Sequence, residues 1–136
     1  MSIKQMSWRV LISLLMSVTG LLSGCASHNE SASFLAKKQA YTISQNLPVK
    51  SAGYTFVLAQ SSGATVKMTI ISEAGTQTEQ TPDAFLTSYQ RQMCADPTVK
   101  LMITEGINYS ITINDTHTGN QYQRKLDRTI CGIAKA

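Results

Sequence analysis

The residues in this 136-residue chain best suited to chemistry are three cysteines, Cys25, Cys94 and Cys131, and two histidines, His28 and His117. A thiolate or imidazole acts as nucleophile or base only where a rigid scaffold holds it against a partner. The spacing offers no such arrangement. His28 falls in a polar stretch, and His117 falls in Asp115-Thr116-His117-Thr118-Gly119-Asn120, a hairpin loop of turn-forming residues. Asp115 beside His117 is accounted for by turn geometry, and Asp83 and Asp96 by helix capping. No G-x-S-x-G, H-E-x-x-H, P-loop or C-x-x-C occurs. The chain is therefore not expected to be an enzyme, with no catalytic residues and no metal site.

Cys25 has a specific reading of its own. Residues 1–9, MSIKQMSWR, are basic, and residues 10–22, VLISLLMSVTGLL, are mostly apolar. A largely apolar stretch of thirteen residues falls short of the roughly 20 that a helix needs to cross a bilayer. The length and flanks suit a secretory leader. Leu22-Ser23-Gly24-Cys25 resembles the lipobox of bacterial lipoproteins, in which the thiol takes diacylglycerol, cleavage precedes the cysteine, and the new amino group is acylated. Small residues at 23 and 24 let the backbone enter a membrane peptidase. Each buried CH2 contributes about 0.8 kcal/mol, so several chains hold a domain on a membrane. The plain alternative is an ordinary leader with a chance cysteine. The expected organisation is a signal peptide over 1–24, a lipidated tether over 25–32 and one domain over 33–136. No cofactor is expected beyond the covalent diacylglycerol and N-acyl chain on Cys25. Ala26 in place of Asp after the cysteine suggests outer-membrane sorting by the enterobacterial rule, on the periplasmic face.

With Cys25 acylated, Cys94 and Cys131 remain, and two thiols in an oxidising compartment read as one disulfide. Two buried free thiols or a metal pair are the alternatives, the latter without support from C-x-x-C or a nearby His. After the leader, ten Lys and Arg face eight Asp and Glu, a balance that gives no basis for a nucleic-acid partner.

The elements that would position these residues follow from periodicity. Apolar residues make up 43% and charged residues 15% of the chain, a globular composition. From Ser33, residues Phe34, Leu35, Ala36, Ala40, Ile43 and Leu47 recur at helix spacing, up to Pro48. Tyr54, Phe56 and Leu58 then alternate with Thr55, Val57 and Ala59, and Val66, Met68 and Ile70 with Thr65, Lys67 and Thr69, which predicts a hairpin turning at 60–63. Thr81-Pro82-Asp83 starts a second helix that ends near Asp96-Pro97. Val99, Leu101 and Ile103 alternate with Lys100, Met102 and Thr104, which predicts a third strand. Residues 107–114 alternate most cleanly, and 121–127 make a polar edge strand. The expected fold is α+β: a mostly antiparallel sheet of about five strands with two or more helices on one face. The other face, with Thr55, Val57, Lys67, Thr69, Met102, Ser110 and Thr112, should be solvated. Val57 and Met102 are its candidate partner-binding residues, with Ala59 and Ile71 nearby.

The stretches LLSGCASHNE, LAKKQA, QNLPVKSAGYT, TPDAFLTSYQRQMCADPTVKLMITEGINYSITINDT and RTICGI resemble the type II secretion pilotins of the AspS or GspS-beta type over essentially the whole chain. The resemblance implies an outer-membrane lipoprotein that binds the C-terminal segment of the secretin subunit. It implies that the lipoprotein sorting machinery delivers the pair to the outer membrane, where the secretin ring assembles. It also implies a sheet flanked by helices, engaging its partner by helix-in-groove docking or strand addition. A structural envelope lipoprotein without a secretin ligand is the alternative.

Overall fold

The computed structural model describes residues 28–73 and 78–135. Helix α1 spans His28–Ser44. It begins five residues before the apolar pattern does and so takes up part of the expected tether. Its sheet-facing stripe is Ala32, Ala36 and Ala40, all buried. Methyl groups four residues apart share one side of a helix and let its backbone sit close on the sheet. Phe34, about 200° around the helix from Ala36, is instead 67% exposed.

The short strand β1, Val49–Ser51, pairs antiparallel with β2, Tyr54–Ser62. Strand β3, Thr65–Ser72, pairs antiparallel with β2 from Ser62 opposite Thr65. The turn is therefore Gly63-Ala64, later than predicted, and Gly63 takes the positive φ of 56° that a two-residue hairpin needs. A bulge between Phe56 and Leu58 breaks the β2 register. One extra residue exchanges the two faces beyond it. Ala59 therefore turns inward, 7% exposed, and Leu58, expected in the core, turns outward, 43% exposed.

Helix α2 spans Pro82–Ala95, capped by Thr81, whose Oγ1 accepts from the Ala84 N–H. Residues 97–104 are not a strand. They form helix α3, Pro97–Thr104. Asp96 Oδ1 accepts from the N–H groups of Thr98 at 2.8 Å and Val99 at 3.0 Å, and Pro97 fits the first helical position. Ile103 is then buried, Val99 and Met102 are half-buried and Leu101 is 54% exposed, a helical distribution.

Strands β4, Asn108–Asp115, and β5, Gln121–Leu126, form an antiparallel hairpin. The sheet order is β1-β2-β3-β4-β5. Its one parallel pairing joins β3 to β4, and α2 and α3 make the crossover that such a pairing requires. The architecture is α+β with five strands, mostly antiparallel, and three described helices.

The inward rows Phe56-Ile70-Ile113 and Ala59-Met68-Ile111 pack with Ala36, Phe85, Leu86, Met93, Ile103 and Ile107 in one core. Outward positions such as Gln60, Lys67, Asn108 and Lys125 are exposed. Thr55 and Ser110 are outward in register yet buried, and the Ser110 hydroxyl accepts from Gln123 Nε2. A disulfide joins Cys94 at the end of α2 to Cys131 beyond β5, with Cα atoms 5.1 Å apart. Arg128 reinforces this closure by donating to the carbonyls of Thr104 and Ala134.

Candidate partner-binding groove

Helix α1 leans on β2 and β3, while α2 leans on β5 and β4. Between them an open groove of about 550 Å³ crosses the helical layer. Its floor is Phe56 and Met68. One wall is Ile43 in the last turn of α1 and Leu47 just beyond it, continued by Val49 and Ala52, and the other is Phe85 and Tyr89 from α2. Phe85 and Tyr89 stand one turn apart on α2, so their rings line up along the wall, 6.2 Å apart and nearly parallel. Phe56 meets Tyr89 at 5.1 Å, and Tyr54 backs Phe85 at 4.3 Å. These contacts fix the aromatic floor and wall in place.

The rim is polar, with Asn46, Ser51, Glu79, Gln80, Ser88 and Gln92. Burial, with the Asp96 carboxylate second, raises the Tyr89 phenol above its usual pKa and keeps it protonated. An apolar trough with a polar rim accepts the apolar face of a peptide helix. Among the described residues no group of three or more His, Cys, Asp and Glu could hold a metal ion.

The predicted site residues do not meet in this groove. Leu22, Ser23, Gly24 and Cys25 lie outside the described residues. Val57 sits at the β2 bulge, 38% exposed, whereas Met102 is on α3 and half-buried against the core. The outer-face patch is thus corrected: Met102 left the sheet when 97–104 became helix, and Ala59 turned inward at the bulge. His117 is a loop residue. Its N–H donates to Asp115 Oδ1 at 3.0 Å, and the Ser72 and Thr118 hydroxyls donate to the same carboxylate at 2.7 Å each. These bonds, Thr118 and Ser72 foremost, hold Asp115 below the usual carboxylate range. The sequence placed Ile43, Phe56, Met68, Phe85 and Tyr89 on their elements but read them as core; it carried the first helix through Leu47, beyond its end at Ser44, and left Val49 of β1 outside any strand. No local signal marks the gap, because it arises from how far apart α1 and α2 settle.

A rigid α+β scaffold that presents an aromatic groove defines a small docking module. The profile of the family described as "Type II secretion system (T2SS) pilotin, S protein" matches residues 28–131. The chain belongs to this family. It is 90% identical to Lipoprotein YghG of Escherichia coli strain K12 and 89% identical to Pilotin AspS 2 of Escherichia coli O78:H11 (strain H10407 / ETEC), each over 136 residues and all of both chains. Its fold matches the pilotin chain in a cryo-EM structure of the ETEC pilotin–secretin AspS–GspD complex with a TM-score of 0.54 and 71% identity, covering 79% of this chain and 100% of that one.

Proposed function

We propose that this chain is a lipid-anchored pilotin. Its groove binds the C-terminal segment of the type II secretion secretin. Acyl chains on Cys25 and the lipoprotein sorting machinery then deliver the complex to the periplasmic face of the outer membrane, where the ring assembles. The role is one of binding and transport and calls for no bond-making chemistry on the partner.

The observation that carries this reading is the groove floored by Phe56 and Met68, in a chain of the pilotin family. The AspS–GspD complex supports a secretin as the occupant. Strand addition is disfavoured by the edges: β1 has three residues, and β5 carries Arg124 and Lys125.

Binding of the secretin C-terminal peptide to purified protein, measured by calorimetry, tests the groove. Ile43→Asp and Leu47→Asp change half-buried wall residues and should weaken binding at least about tenfold, a change of about 1.4 kcal/mol. Val57→Asp, outside the groove and 38% exposed, should bind as wild type. Loss of binding in Val57→Asp alone would move the site to the outer face of β2.

A further inference from the structure

Helix α1 has two unlike faces. One packs Ala32, Ala36 and Ala40 on the sheet. The opposite face carries Phe34, Lys37, Lys38 and Tyr41, positions i, i+3, i+4 and i+7 on one side of the helix. Phe34 is 67% and Tyr41 66% exposed, and both lysines are exposed. Packing within the domain gives these rings nothing to do. Aromatic rings flanked by lysines are what a helix presents when it lies in the headgroup region of an anionic bilayer: rings enter the interface, lysine stems reach back to the phosphates.

The position of α1 in the chain names the occupant, on the reading given above that Cys25 is acylated. Only Ala26 and Ser27 stand between Cys25 and His28, where α1 begins. Three Cα steps reach at most about 11 Å. The first turn of α1 is therefore held next to lipid, and Phe34 follows about 9 Å further along the axis. We infer that the Phe34-Lys37-Lys38-Tyr41 face docks on the anionic bilayer surface, with α1 lying along it. Phe34 and Tyr41 are two turns apart, so a helix parallel to the surface sinks both rings to one depth. Ile43, in the last turn of α1, and Leu47, just beyond it, line the groove. Docking thus fixes the groove at a set distance from the anchor, where a flexible tether would let it swing.

Quenching by brominated lipid tests this with the full chain, expressed and processed in cells and placed in vesicles of phosphatidylethanolamine and phosphatidylglycerol. Phe34→Trp and Tyr41→Trp report on the face, and Leu101→Trp, at a position 54% exposed on α3, serves as control. The chain's one tryptophan, Trp8, precedes Cys25 and leaves with the leader. The first two tryptophans should be quenched at least about twofold more than the control. Lys37→Glu/Lys38→Glu should bring them down to the control level. Equal quenching at all three positions, with acyl mass on Cys25 confirmed by mass spectrometry, overturns the docking and leaves the anchor standing. Absence of that mass overturns the anchor and the docking with it.

Discussion

Two buried polar groups show opposite solutions to one problem. Asp115 is buried at the end of β4 with three donors converging on its carboxylate. Because these bonds favour the charged form, its folded pKa is below the ordinary 3.8. A depressed folded pKa gives a contribution that is complete above the unfolded value and is lost as pH falls through the folded one. Acid unfolding followed by circular dichroism should therefore steepen below about pH 4, and Asp115→Asn should flatten that limb. Tyr109 is the reverse case. Its hydroxyl is buried with no hydrogen-bond partner among the described residues, and burial first, then Asp96 and Tyr89, push its pKa up to about 12. An unsatisfied buried hydroxyl costs about 1–3 kcal/mol. Tyr109→Phe should keep the ring and raise the urea midpoint, where most core substitutions would lower it.

At the scale of elements, what was legible and what was not have physical reasons. Helix α2 and the β4–β5 hairpin were readable because capping, turn residues and periodicity agree there. Residues 97–104 were not, because Val99, Leu101 and Ile103 alternate while Asp96-Pro97 reads equally well as a stop for α2 and a start for α3. Asp96 is in fact both the C-cap of α2 and the N-cap of α3. The parallel β3–β4 pairing was hidden by the same ambiguity, since a strand over 99–104 would have stood where the crossover runs. Asp96→Ala should cost about 1 kcal/mol in urea unfolding, whereas Asp96→Asn should retain most of the cap. The disulfide, inferred from cysteine count and compartment, closes 37 residues and pins α2 to the C-terminal segment. Chain entropy puts its contribution at about 4 kcal/mol, an upper value. Reduced protein should unfold at a clearly lower urea concentration, as should Cys94→Ser/Cys131→Ser.

At the scale of the whole molecule, the function proposed above assigns delivery and recognition to opposite ends of α1. The lipobox lies just before its first turn and the groove beside its last. The lipobox reading rests on four contiguous residues, Leu22-Ser23-Gly24-Cys25. The groove was not legible, because Leu47, Phe56 and Tyr89 converge only after the β2 bulge and the spacing of α1 and α2 are set. The two functions should therefore fail separately. The decisive measurement is secretin multimer recovered in outer-membrane fractions from cells that carry the wild-type chain, Cys25→Ser or Leu47→Asp, with complex formation scored in the same cells by co-purification. Cys25→Ser should still co-purify with secretin but leave few multimers in the outer membrane. Leu47→Asp should reach the outer membrane without secretin and also leave few multimers there. Wild-type multimer levels with Leu47→Asp, or co-purification as strong as wild type, would contradict the groove as the secretin site.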